Sequence, residues 1–483
     1  MSINPASQNS PTDILVVDLD GTLIRSDTFI EMIVWGLCRY PLATLMALLS
    51  LLKGRAIAKR KLSKSIPFQP DNLPFNPELL TFIKHKKESG TELHLVSAAD
   101  QYIVDKISGR FGIFKTAVGS DGKKNLKGSA KASYLKKRFQ KGFSYAGNSS
   151  SDIPVWDEAK SVVLVNTNSR LTSKIKKKYQ VDAILDQRTP DLVDWIKTFR
   201  IHQWTKNLLI FLALFLGHEY LNLESWAQVG GTFIVFSIVA SATYVFNDLI
   251  DLPADRNHET KSSRPLASGQ VSIIAAASLS VGMMILGMTT MFMVGQQVFL
   301  LLLTYVVTTV LYSFTIKKVT ILDLVVLAGL YTLRIVFGVV AADVVLSEWL
   351  MVFSMFFFLS LSTAKRYVEI VRIPAGISDS ITGRGYRGGD ASLLLNFGIG
   401  SGMIALFTFC VYLLDSAFPS DSYGSPLFLW ITLIAISLWT MRIWLKASRM
   451  ELDDDPVAFS IKDRTSILLG CMSACGFALA VIL

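Results

Sequence analysis

The sequence predicts an α/β domain built on a parallel sheet, followed by an all-α transmembrane bundle of about nine helices. Three observations predict it. Before Arg200, short β-branched apolar runs end in clusters of Asp, Ser and Gly; near Arg200 the composition changes sharply; beyond Trp204, apolar segments of membrane-spanning length follow one another. At 483 residues the chain exceeds one ordinary domain, and a mean hydropathy of +0.42 with 51% hydrophobic residues exceeds what soluble proteins show. The expected division is residues 1–12 as a disordered N-terminus, 13–199 as a soluble domain and 200–483 as the membrane domain. Residues 1–12 are polar and uncharged and lack the basic-then-apolar pattern of a signal peptide, which places the soluble domain in the cytosol.

Within the soluble half, Ile14-Leu15-Val16-Val17 reads as a buried parallel strand that delivers Asp18-Leu19-Asp20-Gly21-Thr22-Leu23 at its C-terminal edge. Side chains two apart on an extended segment point the same way, so Asp18 and Asp20 can address one ligand, while Gly21 permits a tight turn. An ordinary Asp-Gly turn is the plainer reading of that dipeptide. Further elements argue against it: a second strand Leu93-His94-Leu95-Val96 ends in Ser97, Gly128-Ser129-Ala130-Lys131 opens an amphipathic helix, and a third strand runs into Gly147-Asn148-Ser149-Ser150-Ser151-Asp152.

In these four motifs and their order the sequence resembles the haloacid dehalogenase (HAD) phosphatase superfamily, with its Rossmann-like α/β fold. The resemblance implies that Asp18 is the nucleophile that takes a phosphoryl group and Asp20 the general acid/base. It implies that Ser97 and Lys131 bind phosphate oxygens, and that Mg²⁺ is held by Asp18, Asp152 and their neighbours Asp20 and Asn148. The chemistry is coherent: a carboxylate attacks phosphorus, its neighbour shuttles the proton, and metal and Lys neutralise oxygen charge. Asn148 departs from the acidic residue expected there; its carbonyl oxygen can ligate but carries no charge, which weakens metal binding. A degenerate regulatory domain is the alternative to an active phosphatase.

The cap expected for such a domain covers about 24–88. Inside it, Phe29 to Leu52 is strongly apolar but interrupted by Arg39 and Pro41, and Lys53, Arg55, Lys59, Arg60 and Lys61 follow. This pattern suits a helical hairpin on anionic lipid, or a soluble cap packed on its own core. A full span would put the two halves of the phosphatase on opposite sides of the membrane.

In the second half, spans are expected near 204–221, 226–247, 272–293, 297–314, 321–343, 349–371, 391–414, 426–446 and 464–483. The connections after the second, fourth, sixth and eighth carry Arg256, Lys261 and Arg264; Lys317 and Lys318; Arg372, Arg384 and Arg387; and Lys446, Arg449 and Lys462. The other connections, such as 218–225, 295–297 and 415–425, contain no Lys or Arg. This alternation places the basic loops and the soluble domain on the cytosolic face of a bacterial-type inner (plasma) membrane, with the C-terminus outside. It also accounts for the net charge of +10 without a nucleic-acid partner. Cys38, Cys410, Cys471 and Cys475 have no metal-ligand spacing and read as reduced packing residues.

The second span ends Asn247-Asp248-Leu249-Ile250-Asp251-Leu252-Pro253-Ala254-Asp255-Arg256. On a continuous helix Asp248, Asp251 and Asp255 share one face, with Asn247 one turn from Asp251. Like charges there repel, and the helix C-terminus disfavours anions, so a bound Mg²⁺ shared with a diphosphate resolves the conflict. Neutralisation by Arg256, Lys261 and Arg264 is the alternative, and Pro253 makes Asp255 the least certain ligand.

Residues 200–483 resemble the UbiA superfamily of intramembrane transferases. The likeness rests on Arg200-Ile-His202-Gln203-Trp204-x-Lys206-Asn207, on Asn247 to Asp255, on Lys261-x-x-Arg264-Pro265-Leu266-x-x-Gly269, and on Tyr312-Ser313 with Lys317. It implies a nine-helix bundle with a central cavity under loops that carry these residues, with Asp248 and Asp251 catalytic and Asn247, Arg256, Lys261, Arg264, Tyr312, Lys317 and Arg334 binding substrate, and a lateral opening for a polyprenyl chain. Usual prenyltransferases of this superfamily carry a second aspartate-rich motif after the sixth span. Here that place reads Ala364-Lys365-Arg366-Tyr367-Val368-Glu369, followed by Gly383-Arg384-Gly385-Tyr386-Arg387. One acidic and one basic cluster suit two phosphorylated substrates. The pattern is similar to the branch that contains decaprenyl-phosphate phosphoribosyltransferase. That likeness implies phosphoribosyl diphosphate bound through Mg²⁺, and polyprenyl phosphate steered by Lys206, Lys365 and Arg366 to attack the anomeric carbon. The HAD domain would then remove the 5-phosphate of the product. Arg334, inside a span, faces the cavity or pairs with Asp323. A prenyltransferase moving a prenyl group from prenyl diphosphate to an aromatic or other acceptor is the alternative. A transporter with a regulatory phosphatase-like domain is the alternative of another class.

Overall fold

Strand β1 (Ile14–Val17) forms because four consecutive apolar residues, three of them β-branched, can be buried on both faces of a sheet. Val16 and Val17 are fully buried. They point to opposite faces, and Leu15 and Val17 join one core while Val16 joins the other. In the computed structural model, which describes residues 13–186, 189–372, 384–419, 423–452 and 456–483, helices α1 (Thr28–Arg39), α2 (Pro41–Leu49), α3 (Arg55–Ser65) and α4 (Pro77–Glu88) follow β1. Then come β2 (Glu92–Asp100), α5 (Gln101–Phe111), β3 (Thr116–Ser120), α6 (Ser129–Arg138), β4 (Ser144–Gly147), α7 (Ile153–Trp156), β5 (Ser161–Val165), α8 (Ser169–Lys176), β6 (Val181–Leu185) and α9 (Leu192–Thr198). The expected disordered segment 1–12 and Gly383 lie outside the described residues.

The six strands pair in parallel in the order β3-β2-β1-β4-β5-β6. The chain order therefore turns back on either side of β1, and the crevice beyond the carboxyl ends of β1 and β4 is where such sheets bind ligands. The cap expected from the sequence is helical. Met32, Ala47, Leu62 and Ile66 pack it onto the core of the sheet. Its α2 edge nonetheless leaves Leu42, Met46 and Leu49 largely exposed, and Leu52 just beyond is 91% exposed. The cap thus has a core of its own and an apolar outer edge.

By packing, the described chain divides into two units: residues 1–201 with 244–281, and residues 202–243 with 282–483. After Arg200 a 3-10 segment, Ile201–Phe211, leads into α10 (Leu212–Leu216). The long α11 (Leu223–Ile250), α12 (Leu252–Arg256), α13 (Ile273–Val294), α14 (Gln296–Phe314), α15 (Leu322–Ala341) and α16 (Glu348–Val371) follow. The chain ends with α17 (Ala391–Tyr412), α18 (Leu429–Ser448), α19 (Pro456–Lys462) and α20 (Arg464–Ile482). Among the described residues seven helices are long and apolar enough to cross a membrane. They are α11, α13, α14 and α15, together with the segments that contain α17, α18 and α20. Helix α16, 24 residues long, is not among them and carries Glu348, Lys365, Arg366 and Glu369. The first expected span is a shorter apolar helical stretch, Ile201–Leu216. In the second unit α15 and α16 share a core of Leu324, Ala328, Ile335, Phe358, Leu361 and Ala364. Asn207 and Trp204 tie the first helical stretch to α11 by hydrogen bonds to Ser237 and Ser241, both at 2.9 Å.

Candidate functional site

Asp18 follows directly on β1. Its backbone N–H donates to the Ala146 carbonyl of β4 at 3.0 Å, which continues the ladder and fixes the carboxylate at the sheet's carboxyl edge. Lys131, in the first turn of α6, donates from Nζ to Asp18 Oδ1 and to the Tyr145 hydroxyl, both at 2.8 Å. That hydroxyl donates to Asp152 Oδ1 at 3.3 Å. The other oxygen of Asp152 accepts the backbone N–H groups of Asn148 and Ser149 at 3.1 and 3.0 Å. Asp18, Lys131 and Asp152 are all buried. Ser97 is fully buried, its Oγ accepting from the Ala99 N–H at 3.0 Å, and Asp20 Oδ1 accepts from the Thr28 N–H at 2.8 Å. Asp18, Asp20, Ser97, Lys131, Asn148 and Asp152 line one cavity of about 300 Å³. The structure therefore brings together all six residues singled out from the sequence.

The turn after Asp18 needs glycine. Gly21 has φ +75°, and a Cβ there would fall 2.0 Å from Asn148 Nδ2, so the Asn148 side chain packs directly over the turn. Burial raises the Asp18 carboxyl above its ordinary range, the Lys131 ammonium opposes this, and the charge of Asp152 adds to it. Burial, reinforced by Asp27, pushes Asp20 up to about 7. A carboxyl that keeps its proton near neutrality is suited to donate to a departing oxygen, while the carboxylate held against an ammonium is suited to attack. Lys59, read from the sequence only as one of the basic residues after the apolar hairpin, also lines the cavity, and Tyr145, bonded to Lys131, escaped the sequence reading. Lys59 donates from Nζ to the Ala98 carbonyl at 2.7 Å beside the site. Tyr145 links Lys131 to Asp152, and only its hydroxyl distinguishes it from an ordinary apolar strand residue.

No group of three or more His, Cys, Asp or Glu gathers as a metal site among the described residues. In the cavity, the carboxylates of Asp18 and Asp152 and the carboxamide of Asn148 nevertheless form a hard oxygen donor set of the kind Mg²⁺ takes.

At the acidic cluster the structure corrects the expected single helical face. Helix α11 ends at Ile250, and Asp251 leaves helical geometry with φ −89° and ψ 3° before α12, where Pro253 stands in the first turn. Pro253 has no N–H to offer the Leu249 carbonyl and its ring crowds that carbonyl, so α11 cannot run on through it and the chain re-starts as α12. Asp255, the ligand that Pro253 put in doubt, is brought to Asp248: Arg264 Nη1 donates to Asp255 Oδ2 at 2.6 Å and to Asp248 Oδ1 at 3.2 Å. Arg200 also pairs with Asp248. Asp248 and Asp255 are both 5% exposed. Asp251 donates its N–H to the Asn247 carbonyl at 2.9 Å. Lys261 opens the 3-10 turn that precedes Arg264. The carboxylates are thus compensated by two guanidinium groups. One of them, Arg200, the sequence offered only as part of a motif.

Arg256, expected to bind substrate, is engaged elsewhere. It donates to Glu31 of α1 at 2.7 and 3.0 Å, to the Asn72 carbonyl at 2.8 Å and to the Ala267 carbonyl at 2.9 Å. This buried ion pair fastens the loop after α12 to the cap.

Two further corrections fall in the second unit. Arg366 is fully buried, donating to Asp323 Oδ2 at 2.8 and 3.1 Å and pairing with Glu369, so it is closed to an incoming phosphate. Arg384 meets Glu369 at 3.3 Å and Tyr386 bonds to Asp323, so much of the expected basic cluster is neutralised internally. Arg334 does not pair with Asp323. It donates to Asn207 Oδ1 at 2.9 Å and sits 5.4–5.5 Å from the rings of Phe236, Tyr305 and Tyr331. Lys206 lies over the Tyr331 ring at 5.9 Å, and Tyr312 hydrogen-bonds Arg366. Lys317 and Lys365 are half-buried. Arg366→Met is expected to destabilise the protein by about 3–5 kcal/mol, because the fully buried Asp323 carboxylate stays behind without its cation, while Glu369 keeps Arg384. Thermal unfolding of the full chain in detergent measures it, and adding Asp323→Leu should recover part of the loss.

The UbiA prenyltransferase family matches residues 208–462, and the haloacid dehalogenase-like hydrolases match residues 15–157. "Uncharacterized protein y4nM" of Sinorhizobium fredii is 37% identical over 468 residues, which is 97% of this chain and 91% of that one. Nodulation protein NoeC of Azorhizobium caulinodans is 28% identical over 56% of this chain and 87% of its own. Decaprenyl-phosphate phosphoribosyltransferase of Mycobacterium tuberculosis is 32% identical over 179 residues, 36% of this chain and 59% of that one.

Proposed function

Because the chain belongs to the UbiA prenyltransferase family and carries an N-terminal haloacid dehalogenase-like domain, we propose that it is a bifunctional membrane enzyme. It transfers phosphoribose from phosphoribosyl diphosphate to a polyprenyl phosphate, then hydrolyses the 5-phosphate of the lipid-linked product. The observation that carries this reading is the residue pattern at the end of α16. Lys365 and Arg366 stand where a second acidic motif would grip a prenyl diphosphate. A single acidic cluster then serves one diphosphate, and a cation serves the phosphate of the acceptor. The likeness to decaprenyl-phosphate phosphoribosyltransferase supports the same donor and acceptor.

Asn247, Asp248, Asp251 and Asp255 are the residues that would hold Mg²⁺ with the donor. When bound, the ion would neutralise the leaving diphosphate. Arg200 and Arg264, already on those carboxylates, supply further positive charge at the same place. Lys206 and Lys365 orient the acceptor phosphate, and Arg366, closed in its ion pairs, holds α16 in position for Lys365. In the HAD cavity Asp18 attacks phosphorus. The ester P–O bond breaks, and Asp20 gives its proton to the departing oxygen. Water, deprotonated by Asp20, then releases inorganic phosphate and restores Asp18. Lys131 holds a phosphate oxygen throughout. Nine spans in a bacterial-type inner membrane, with basic loops and HAD domain in the cytosol and the C-terminus outside, keep both steps on one face.

A prenyl diphosphate donor with an aromatic or other acceptor is the second reading, favoured by the closure of Arg366. Membranes given radiolabelled phosphoribosyl diphosphate and polyprenyl phosphate are expected to form labelled lipid. Protein that uses a prenyl diphosphate and an aromatic acid but ignores phosphoribosyl diphosphate overturns the proposal.

A further inference from the structure

The phosphatase cavity has two unlike walls. One is polar, formed by Asp18, Asp20, Lys131 and Asn148 with their neighbours. The other comes from a distant part of the sequence: Leu266, Gly269, Val271, Ser272, Ile273 and Ile274 line the same cavity. These residues belong to the loop that follows Arg264 and to the first turn of α13, one of the helices long and apolar enough to cross a membrane.

The loop is built into the wall rather than resting against it. Arg256 binds Glu31 and Asn72 on the cap side and the Ala267 carbonyl on the loop side. Asn257 Nδ2 donates to Asn72 Oδ1 at 3.0 Å. Gly269, at φ +74°, approaches so closely that a Cβ would fall 2.8 Å from Arg25 Cβ. Leu266, Val271 and Ile273 are buried, whereas Ile274 is 55% exposed at the rim. From Ile274 an outward face of α13 continues through Ser278 to Val281, which is 45% exposed. These positions are spaced four and three apart, so they form one stripe leading away from the cavity.

We propose that this cavity takes an amphiphilic phosphomonoester, with the phosphate at Asp18 and Lys131 and the apolar portion on the wall from Val271 to Ile274 and along the α13 stripe. The transferase half thereby supplies the specificity wall of the phosphatase. The inference rests on the reading of the HAD cavity as a phosphatase. Two sources share the chemistry: the lipid-linked product of the transferase, and an ordinary phosphorylated membrane lipid.

The test uses the full chain in nanodiscs and a series of n-alkyl phosphates from methyl to octyl. Burial of each added methylene is expected to raise kcat/KM by about two- to fourfold over the first few members. Ile274→Ser, at an exposed position, should flatten that rise, with an unchanged melting temperature as evidence of folding. Hydrolysis independent of chain length overturns the inference and leaves the phosphatase reading standing. Hydrolysis of no member overturns both. Phosphatidic acid placed in the discs separates the sources: its turnover points to a bilayer lipid, and its survival alongside rapid octyl phosphate hydrolysis points to the transferase product.

Discussion

Membranes containing the Asp248→Asn protein should incorporate no label into lipid from phosphoribosyl diphosphate. The loss is expected to reach about three orders of magnitude or more, or about 4 kcal/mol of transition-state stabilisation. Asp248 is the carboxylate on which two guanidinium groups converge, and it stands in the oxygen cluster assigned to the donor's metal-bound diphosphate. Asparagine keeps the shape and one acceptor oxygen but removes the charge that both metal and arginines need. A folding defect is separable, because the HAD site of the same protein, assayed with a soluble phosphomonoester, should still turn over. Full lipid labelling by Asp248→Asn would remove the cluster from the reaction.

Asp18→Asn acts on the other chemistry. The nucleophile is lost while the hydrogen bond to Lys131 can persist through the amide oxygen, so phosphate release should fall by about three orders of magnitude or more. Lipid labelling should continue, and the phosphorylated lipid should accumulate in place of the dephosphorylated product. Chromatography of the lipid extract before and after treatment with an added phosphatase reads this directly. An unchanged product assigns the HAD domain another substrate.

The two sites were not equally legible in the sequence. At the HAD cavity, strand ends fix direction. Once an apolar run is read as a buried parallel strand, the residues leaving its carboxyl edge converge on those of its neighbours. Local patterns put Asp18, Ser97 and the Asp152 loop each after a readable strand, and the resemblance to the HAD superfamily implied that they share one site. Tyr145 could not be placed there, since a tyrosine in an apolar strand resembles core until its hydroxyl finds Lys131. The basic residues of the second half were harder. A lone Arg looks the same whether its partner is a phosphate or a carboxylate far along the chain. Arg256 meets Glu31, 225 residues away, and Arg366 meets Asp323, 43 residues away. Neither pairing leaves a local signature. The acidic cluster was legible as a group but not in its shape, because the helical register assumed for it ended at Asp251.

The outer edge of α2 has a practical corollary for dissecting the enzyme. Leu42, Met46, Leu49 and Leu52 form an oily ridge on the very part that a biochemist would excise as the soluble half. Cutting near Arg200 would also strip away the Arg256 clamp on Glu31 and the loop that completes the cavity. A fragment ending there would carry an uncovered ridge and an unfinished pocket, a combination that favours self-association and gel-filtration profiles dependent on detergent. Poor turnover by such a fragment would therefore describe the cut, not the catalyst.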